Sequence, residues 1–151
     1  MAQSLARLWT HLIFSTKDRF PFLSDKSIRR EMHAYLATMF RNYDCETLIV
    51  GGVEDHKHSL FALSRNHSIA TVVKEAKRTS SGWVKDKSPK LASFHWQAGY
   101  GAFSVSQSNL KDVVAYIENQ EEHHKRVTFQ DEYRAFLNAF GVEYDERYVW
   151  D

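Results

Sequence analysis

Residues 46–63, ETLIVGGVEDHKHSLFAL, contain two β-prone runs separated by a glycine turn. The first run covers Glu46–Val50 and the second covers Asp55–Leu63, with Gly51-Gly52 reversing the chain between them. Two strands with no helix between them predict that the chain folds back on itself at this point. This pair of strands is the element from which the rest of the fold can be worked outward.

Helices and further strands flank the pair on both sides. A helix over about 25–42, with Ser24 as its cap, precedes the pair, and a helix over about 69–85 follows it. Leu8–Ser15 and the extended, aromatic residues 91–104 add the outer strands. The order βαββαβ predicts an α+β protein with the ferredoxin-like (split βαβ, RRM-like) antiparallel sheet and two helices on one face.

Residues beyond this core predict additional C-terminal helices. One helix covers about 106–124, and a tail over about 128–151 includes a short helix near its start. No linker, repeat or low-complexity segment interrupts the chain, which therefore reads as a single domain over 1–151. The second face of the sheet needs a cover: these helices, a partner subunit or nucleic acid.

The charge of the chain is distributed unevenly, although its formal net charge is only +1. Residues 1–100 hold 15 Lys/Arg and 9 Asp/Glu, whereas residues 101–151 hold 5 and 10. Residues 65–90 hold 7 basic and 2 acidic side chains. Such a basic stretch is compatible with nucleic-acid binding, but charge runs are more often solvated faces.

The cysteine count and the hydropathy pattern exclude several classes of protein. Cys45 is the only cysteine, which excludes an internal disulfide and any zinc site built on paired cysteines. No apolar run approaches the roughly 18–20 residues of a membrane span. No secretory signal is recognisable at the N-terminus. We therefore expect a cytoplasmic protein with no membrane partner.

A His-x-His pair lies on the second of the two central strands. Side chains alternate along a strand, so His56 and His58 point the same way and can bind one divalent ion together. Asp55 could orient one of these imidazoles. On spacing alone, a solvent-facing pair with no ion is the more common situation.

A tyrosine and a glutamine share one side of the helix over about 106–124. Its apolar stripe consists of Leu110, Val113, Val114 and Ile117. Tyr116 lies off that stripe, and Gln120 follows one turn later on the same side. A displaced tyrosine is free to act as a nucleophile, and a glutamine carbonyl can bind a metal.

Two histidines, His123 and His124, follow this pair at the end of the same predicted helix. They could supply another metal ligand or touch phosphate, but a basic helix end that suits the helix dipole is the favoured interpretation.

Five segments of the chain, taken in order, resemble the single-tyrosine transposases of the HUH superfamily, of the insertion-sequence-200-like and REP-associated type. The segments are THLIFSTKDRFPFL at 10–23, GGVEDHKHSLFAL at 51–63, VVKEAKRTSSGWVK at 72–85, FHWQAGYGAFSVS at 94–106 and YIENQEEHHKRVTFQDEY at 116–133. The His-x-His pair alone is weakly specific, but the ordered set is highly specific.

The resemblance implies a function and a site. His56 and His58 would bind Mg²⁺ or Mn²⁺, with Gln120 as the third ligand. Tyr116 would attack a phosphate of single-stranded DNA, forming a 5′-phosphotyrosine link and freeing a 3′-OH. Members of the family recognise DNA hairpins and many work as dimers, so a nucleoid-associated homodimer is expected.

The resemblance also implies where DNA is held. Basic residues of the helix over 72–85 are expected to contact backbone phosphates, with Lys77 nearest the site: Lys74, Lys77, Arg78 and Lys85. Trp96 and Tyr100 lie in the glycine-containing segment 94–106 and offer aromatic faces on which unpaired bases could stack. A strand with core aromatics explains that segment equally well. We expect His11 to be a packed sheet residue rather than a ligand.

Lys57 departs from the family pattern, in which the residue between the two histidines is hydrophobic. Burying a lysine is costly unless it is paired or reaches solvent, so we expect some exposure of this strand face or a loss of activity. Three hypotheses follow: an active transposase, an inactive or domesticated relative that only binds hairpin DNA or RNA, and an unrelated ferredoxin-like metal phosphodiesterase. The first fits the intact Tyr116 and Gln120 best.

Overall fold

The computed structural model describes residues 1–151 and contains a four-stranded antiparallel sheet with five α-helices. The elements are β1 (Trp9–Ser15), α1 (Lys26–Asn42), β2 (Glu46–Gly52), β3 (His56–Ala62), α2 (Ile69–Lys85), β4 (Gly101–Ser104), α3 (Leu110–Glu118), α4 (Gln120–His123) and α5 (Phe129–Ala139). The strand order is β2-β3-β1-β4, and every pairing is antiparallel. The expected ferredoxin-like α+β class is thereby confirmed. None of the helices combines the length and the apolar composition that crossing a membrane requires.

Helices α1 and α2 pack on one face of the sheet. The carboxylate of Asp25, rather than Ser24, caps α1 by accepting from the backbone of Ser27 and Ile28, whereas Ser68 caps α2 as expected. The core on this face combines alternate strand residues with the inner faces of both helices: Leu12, Phe14, Met32, Leu36, Phe40, Phe61, Val72, Val73 and Ala76. This half of the molecule is a conventional apolar core.

The second face of the sheet is covered by α3, α4, α5 and the C-terminal segment. A smaller apolar cluster joins the sheet to α5: Ile13, Phe103, Phe129, Tyr133 and Leu137. Trp150 packs against this cluster, and its indole lies 4.9 Å from the guanidinium of Arg134. Of the three covers considered from the sequence, the additional helices are the one observed.

The C-terminal helices are shorter than the sequence predicts. The expected helix over about 106–124 begins only at Leu110 and is interrupted at Asn119, whose φ of −94° and ψ of 19° leave the helical range. Residues 91–104 form a strand only over Gly101–Ser104, because a 3₁₀ turn and a single bridge from Trp96 to Thr16 occupy the earlier part. The break at Asn119 allows α4 to turn towards the sheet.

Two glycines let the C-terminal helices approach the sheet closely. A Cβ atom on Gly51 would lie 2.8 Å from Cγ2 of Ile117, and a Cβ atom on Gly101 would lie 2.9 Å from the hydroxyl of Tyr133. Neither position has room for a larger side chain without movement of α3 or α5. The sequence of the strands thus helps to fix where the residues of these helices lie.

Candidate functional site

The two histidines of β3 point towards the C-terminal helices. Because side chains alternate along the strand, His56 and His58 share one face, and Lys57 lies on the other. Strand β3 is internal, paired with β2 on one side and β1 on the other, and every residue in it is buried. The imidazoles are therefore presented by the most rigid part of the sheet.

Each of these imidazoles is held through its Nδ1 atom. The Nδ1 of His56 lies 2.7 Å from a carboxylate oxygen of Asp55, the contact expected from the sequence. The Nδ1 of His58 lies 2.8 Å from the Nε2 of His11 on β1. His11 is buried in the sheet, as expected. Both arrangements leave the Nε2 atoms of His56 and His58 facing the space between the sheet and the helices.

Gln120 and His124 enter the same space from α4 and the residue after it. The amide oxygen of Gln120 lies 3.2 Å from the Nε2 of His56 and 2.9 Å from the Nε2 of His124. The Nδ1 of His124 lies 2.7 Å from the carbonyl oxygen of Val127. The sequence analysis favoured a basic helix end for His124, whereas the structure places its imidazole beside His56, His58 and Gln120, and these residues form the histidine cluster.

Glu132 on α5 completes the cluster and was missed by the sequence analysis. Its Oε1 lies 2.9 Å from the Nε2 of His58, 3.2 Å from that of His124 and 3.5 Å from that of His56. The signal that could have found it is its position three residues after Phe129 and next to Tyr133, on the apolar side of an amphipathic helix. A carboxylate there must have polar partners inside the protein.

Tyr116 reaches the cluster from α3. Its hydroxyl donates a hydrogen bond to the Oε2 of Glu132 and lies 3.3 Å from the Nε2 of His123. Its ring centroid is 5.8 Å from that of His58. The predicted nucleophile and the predicted metal-binding histidines therefore converge within one chain.

The ionisation states of the cluster follow from its burial. His56 and His58 are 0% exposed, Gln120 is 1% exposed and Glu132 is 3% exposed. Burial disfavours the carboxylate of Glu132, but hydrogen bonds with His124, His56 and His58 outweigh it and hold its pKa well below the usual range. Burial lowers the pKa of His58 to about 4. Burial and the adjacent Glu132 raise the pKa of the Tyr116 phenol.

The donor atoms of the cluster fit a divalent metal ion. One ligand atom from each of His56, His58, His124 and Glu132 lies within 4.8 Å of all the others. Metal–ligand bonds of about 2.0–2.2 Å to nitrogen and oxygen need donor separations of roughly 3–3.5 Å. The Oε1 atom of Glu132 already lies 2.9 to 3.5 Å from the three Nε2 atoms. The chemistry of the set, three imidazoles with one carboxylate and one amide oxygen, suits such an ion.

Lys57 is fully buried, so the expectation of an exposed strand face is wrong. Its Nζ donates to the carbonyl oxygen of Val53 at 2.7 Å and lies 2.8 Å from the Nε2 of His33 on α1. Burial lowers the pKa of Lys57 well below the ordinary value for lysine. The residue is accommodated by polar partners on the α1 side, away from the histidine cluster.

Five of the six residues expected to bind DNA line one cavity of about 370 Å³ between α2 and residues 95–100: Lys74, Lys77, Arg78, Trp96 and Tyr100. Lys85, at the end of α2, does not line it. Lys74 and Arg78 are exposed. This cavity lies on the α1 and α2 face of the sheet, opposite the histidine cluster.

Two of these residues are closed to DNA by their partners, which corrects their expected use, whereas the exposed Arg78 pairs with Glu75 on the same helix at 2.6 Å. The Nζ of Lys77 donates to the carbonyl oxygens of Gln97 at 2.9 Å and Gly99 at 2.6 Å, and burial lowers its pKa to about 8. Lys77 is therefore neither free for phosphate nor near the tyrosine. Trp96 is 8% exposed, packs on Phe14 and donates from its indole to Ser80, so its face is closed to a base.

Comparisons with known proteins agree with this fold. The family model described as Transposase IS200 like matches residues 4–120, and the chain belongs to that family. A crystal structure at 1.90 Å resolution of a candidate transposase from Deinococcus radiodurans R1 is 25% identical, with a TM-score of 0.60, and the match covers 80% of this chain and 95% of that one. A REP-associated tyrosine transposase bound to a REP hairpin is 11% identical, with a TM-score of 0.56 over 83% and 72% of the two chains. A search of curated proteins gave no match.

Proposed function

We propose that this transposase cuts and rejoins single-stranded DNA through a covalent bond to Tyr116. The observation that carries the proposal is the convergence of the Tyr116 hydroxyl with His56, His58 and Gln120 around one carboxylate. All of these groups come from one chain, so the site can be completed without a second copy. The homodimer expected from the sequence stays a prediction.

Tyr116 is the nucleophile in this proposal. Its phenol is neutral before reaction, because burial and Glu132 raise its pKa. The Oε2 of Glu132 orients the hydroxyl, and the phenol proton is passed to the departing 3′ oxygen as the phenolic oxygen bonds to phosphorus. The bond from phosphorus to the 3′ oxygen breaks, leaving the 5′ phosphate on Tyr116 and a 3′-OH on the other fragment. Attack by a 3′-OH on the phosphotyrosine restores the phenol and joins the strands.

His56, His58 and Gln120 are the residues that we propose to hold Mg²⁺ or Mn²⁺. When bound, the ion would polarise the phosphate oxygens and orient the scissile group. Asp55 and His11 keep the two imidazoles in place through their Nδ1 atoms, as partners of metal ligands commonly do. Phe129 packs against the ring of His56, and Phe136 packs against the ring of Tyr116.

The proposed substrate is single-stranded DNA that carries hairpins, since one structural neighbour is described as bound to a REP hairpin. Lys74 and Arg78 on the exposed side of α2 are positioned to contact backbone phosphates. Tyr100, which is half-buried beside them, offers the remaining aromatic face of that cavity. A cytoplasmic, nucleoid-associated setting follows from such a substrate.

Covalent capture tests the proposed function. The protein is incubated with labelled single-stranded hairpin DNA from around its own gene and Mn²⁺, and the products are separated on a denaturing gel. We expect a slowly migrating protein–DNA band that is lost in Tyr116→Phe, in His56→Ala and after chelation. Tyr133→Phe is the matched control, because that tyrosine lies on α5 with no partner in the cluster.

The alternative function, binding of hairpin DNA or RNA without cleavage, has a distinct outcome in the same experiment. It predicts complexes on native gels that survive both Tyr116→Phe and chelation, together with no covalent band from the wild type. The departure at Lys57 no longer favours that alternative, because its side chain faces α1 rather than the cluster.

A further inference from the structure

His124 and Glu132 have the arrangement of metal ligands, although the proposed function assigns neither residue to the ion. Three imidazoles surround the cluster, those of His56, His58 and His124, and each has its Nδ1 held by another group. For His124 that group is the backbone carbonyl of Val127, which accepts from Nδ1–H and so orients Nε2 towards Gln120 and Glu132. Orientation of this kind by a second hydrogen bond is typical of histidines that bind metals.

The two oxygens of Glu132 face different partners. Oε1 lies within 3.5 Å of all three Nε2 atoms. Oε2 accepts from the hydroxyl of Tyr116 and lies 3.1 Å from the Nε2 of His123 and 3.3 Å from the amide nitrogen of Gln120. The carboxylate thus stands between the three imidazoles at Oε1 and the tyrosine at Oε2.

We propose that His124 and Glu132 are metal ligands, so that the ion is held by five protein groups rather than three, and that Glu132 connects the ion to Tyr116. The inference rests on the proposed function, because it adds ligands to the same site. Glu132 would bind the ion through Oε1 while Oε2 keeps the tyrosine hydroxyl in place. Glu132 lies beyond residues 4–120, the part of the chain that the family model matches.

The donor set also favours a class of metal. Three imidazoles prefer first-row transition ions, whereas Mg²⁺ prefers carboxylates, carbonyls and water. A site with only two histidines and a glutamine would have room for several waters, and it would discriminate less between Mn²⁺ and Mg²⁺. We therefore expect Mn²⁺ to bind more tightly than Mg²⁺, and Mn²⁺ is the probe for the test.

The test measures Mn²⁺ binding by isothermal titration calorimetry on the full chain without DNA. We expect Glu132→Gln and His124→Gln each to weaken Mn²⁺ affinity by roughly 10- to 100-fold. Glu122→Gln is the control, because Glu122 is an exposed carboxylate on α4, two residues before His124, and pairs only with Lys125. Unchanged affinity in both site variants, with binding lost in His56→Ala, would overturn the inference.

A second measurement needs no variant and covers the case in which removal of a buried group prevents folding. Pulsed electron paramagnetic resonance of Mn²⁺ bound to wild-type protein labelled with ¹⁵N-histidine counts the coordinated imidazoles. Three coupled nitrogens support the inference and two contradict it. The proposed function fails differently: if no covalent DNA adduct forms although Mn²⁺ has all of these ligands, the chemistry is wrong and the ligand set stands.

Discussion

The Nζ atom of Lys57 lies 2.8 Å from the Nε2 of His33, on the face of the sheet that carries α1. Strand β3 itself separates this contact from the histidine cluster, because Lys57 points away from His56 and His58. The lysine therefore belongs to the packing between sheet and helix, and its influence on catalysis can be separated from its influence on stability.

Replacement of Lys57 by methionine tests that separation. Methionine keeps most of the buried volume of the lysine side chain, but it leaves the carbonyl oxygen of Val53 and the Nε2 of His33 without this partner. We expect Lys57→Met to lower the free energy of unfolding by about 1–3 kcal/mol. We expect Lys57→Ala to lose about 2–4 kcal/mol more through the cavity it leaves. Urea unfolding measures both. Loss of Mn²⁺ binding in folded Lys57→Met would contradict the assignment.

His33 predicts a loss of stability in acid. Burial, followed by the charges of Lys57 and Arg29, lowers its pKa from 6.5 to about 3. The unfolded chain binds the proton more readily, so this contribution to stability is present above pH 6.5 and is lost as the pH falls towards 3. Between these pH values the wild type loses part of its free energy of unfolding. We expect His33→Gln to reduce that loss by about 2 kcal/mol in unfolding experiments. His95→Gln, at an exposed position, should leave the pH profile unchanged.

The close packing of Gly51 predicts that a substitution on β2 affects α3, the helix that carries Tyr116. A methyl group there would lie 2.8 Å from Ile117, which directly follows Tyr116. We expect Gly51→Ala to lower the free energy of unfolding by about 1–3 kcal/mol through overpacking. The covalent adduct should decrease as well, because α3 must shift away from the sheet.

The matched control for this change is Gly82→Ala. Gly82 lies inside α2, and a Cβ atom there meets nothing within 4 Å. Alanine should raise the stability of the helix by about 0.5–1 kcal/mol and leave adduct formation unaltered. Equal adduct yields from the two alanine variants would argue against coupling through Ile117.

The basic residues of α2 are expected to divide into two groups. Lys74→Ala and Arg78→Ala remove exposed charges, so each should weaken hairpin binding and reduce the slope of log affinity against log salt by about 1 without lowering Tm. Lys77→Ala should instead lower Tm, because Lys77 holds the backbone of Gln97 and Gly99. Thermal melts and salt-dependent anisotropy distinguish the groups. A lowered salt slope in Lys77→Ala with unchanged Tm would contradict the structural role.

Local sequence patterns were sufficient to predict the sheet and part of the candidate site. Alternation in β3 predicted that His56 and His58 share a face, and helical spacing predicted that Tyr116 and Gln120 share a side. Glu132 was not predicted, because its place depends on how α5 packs across the sheet, a contact between residues that are far apart in sequence. Lys57 was misjudged for the same reason, since its partner His33 lies on α1.

Strand β3 pairs along its whole length with β1, and its residues serve opposite faces in strict alternation. A slip of one residue in this pairing would exchange the two faces. It would place Lys57 among the imidazoles and would push His56 and His58 into the apolar layer beneath α1 and α2. Such a chain would lose its stability and its site in one error. The native register is therefore the one that both buries Lys57 beside its polar partners and directs the two histidines to the candidate site.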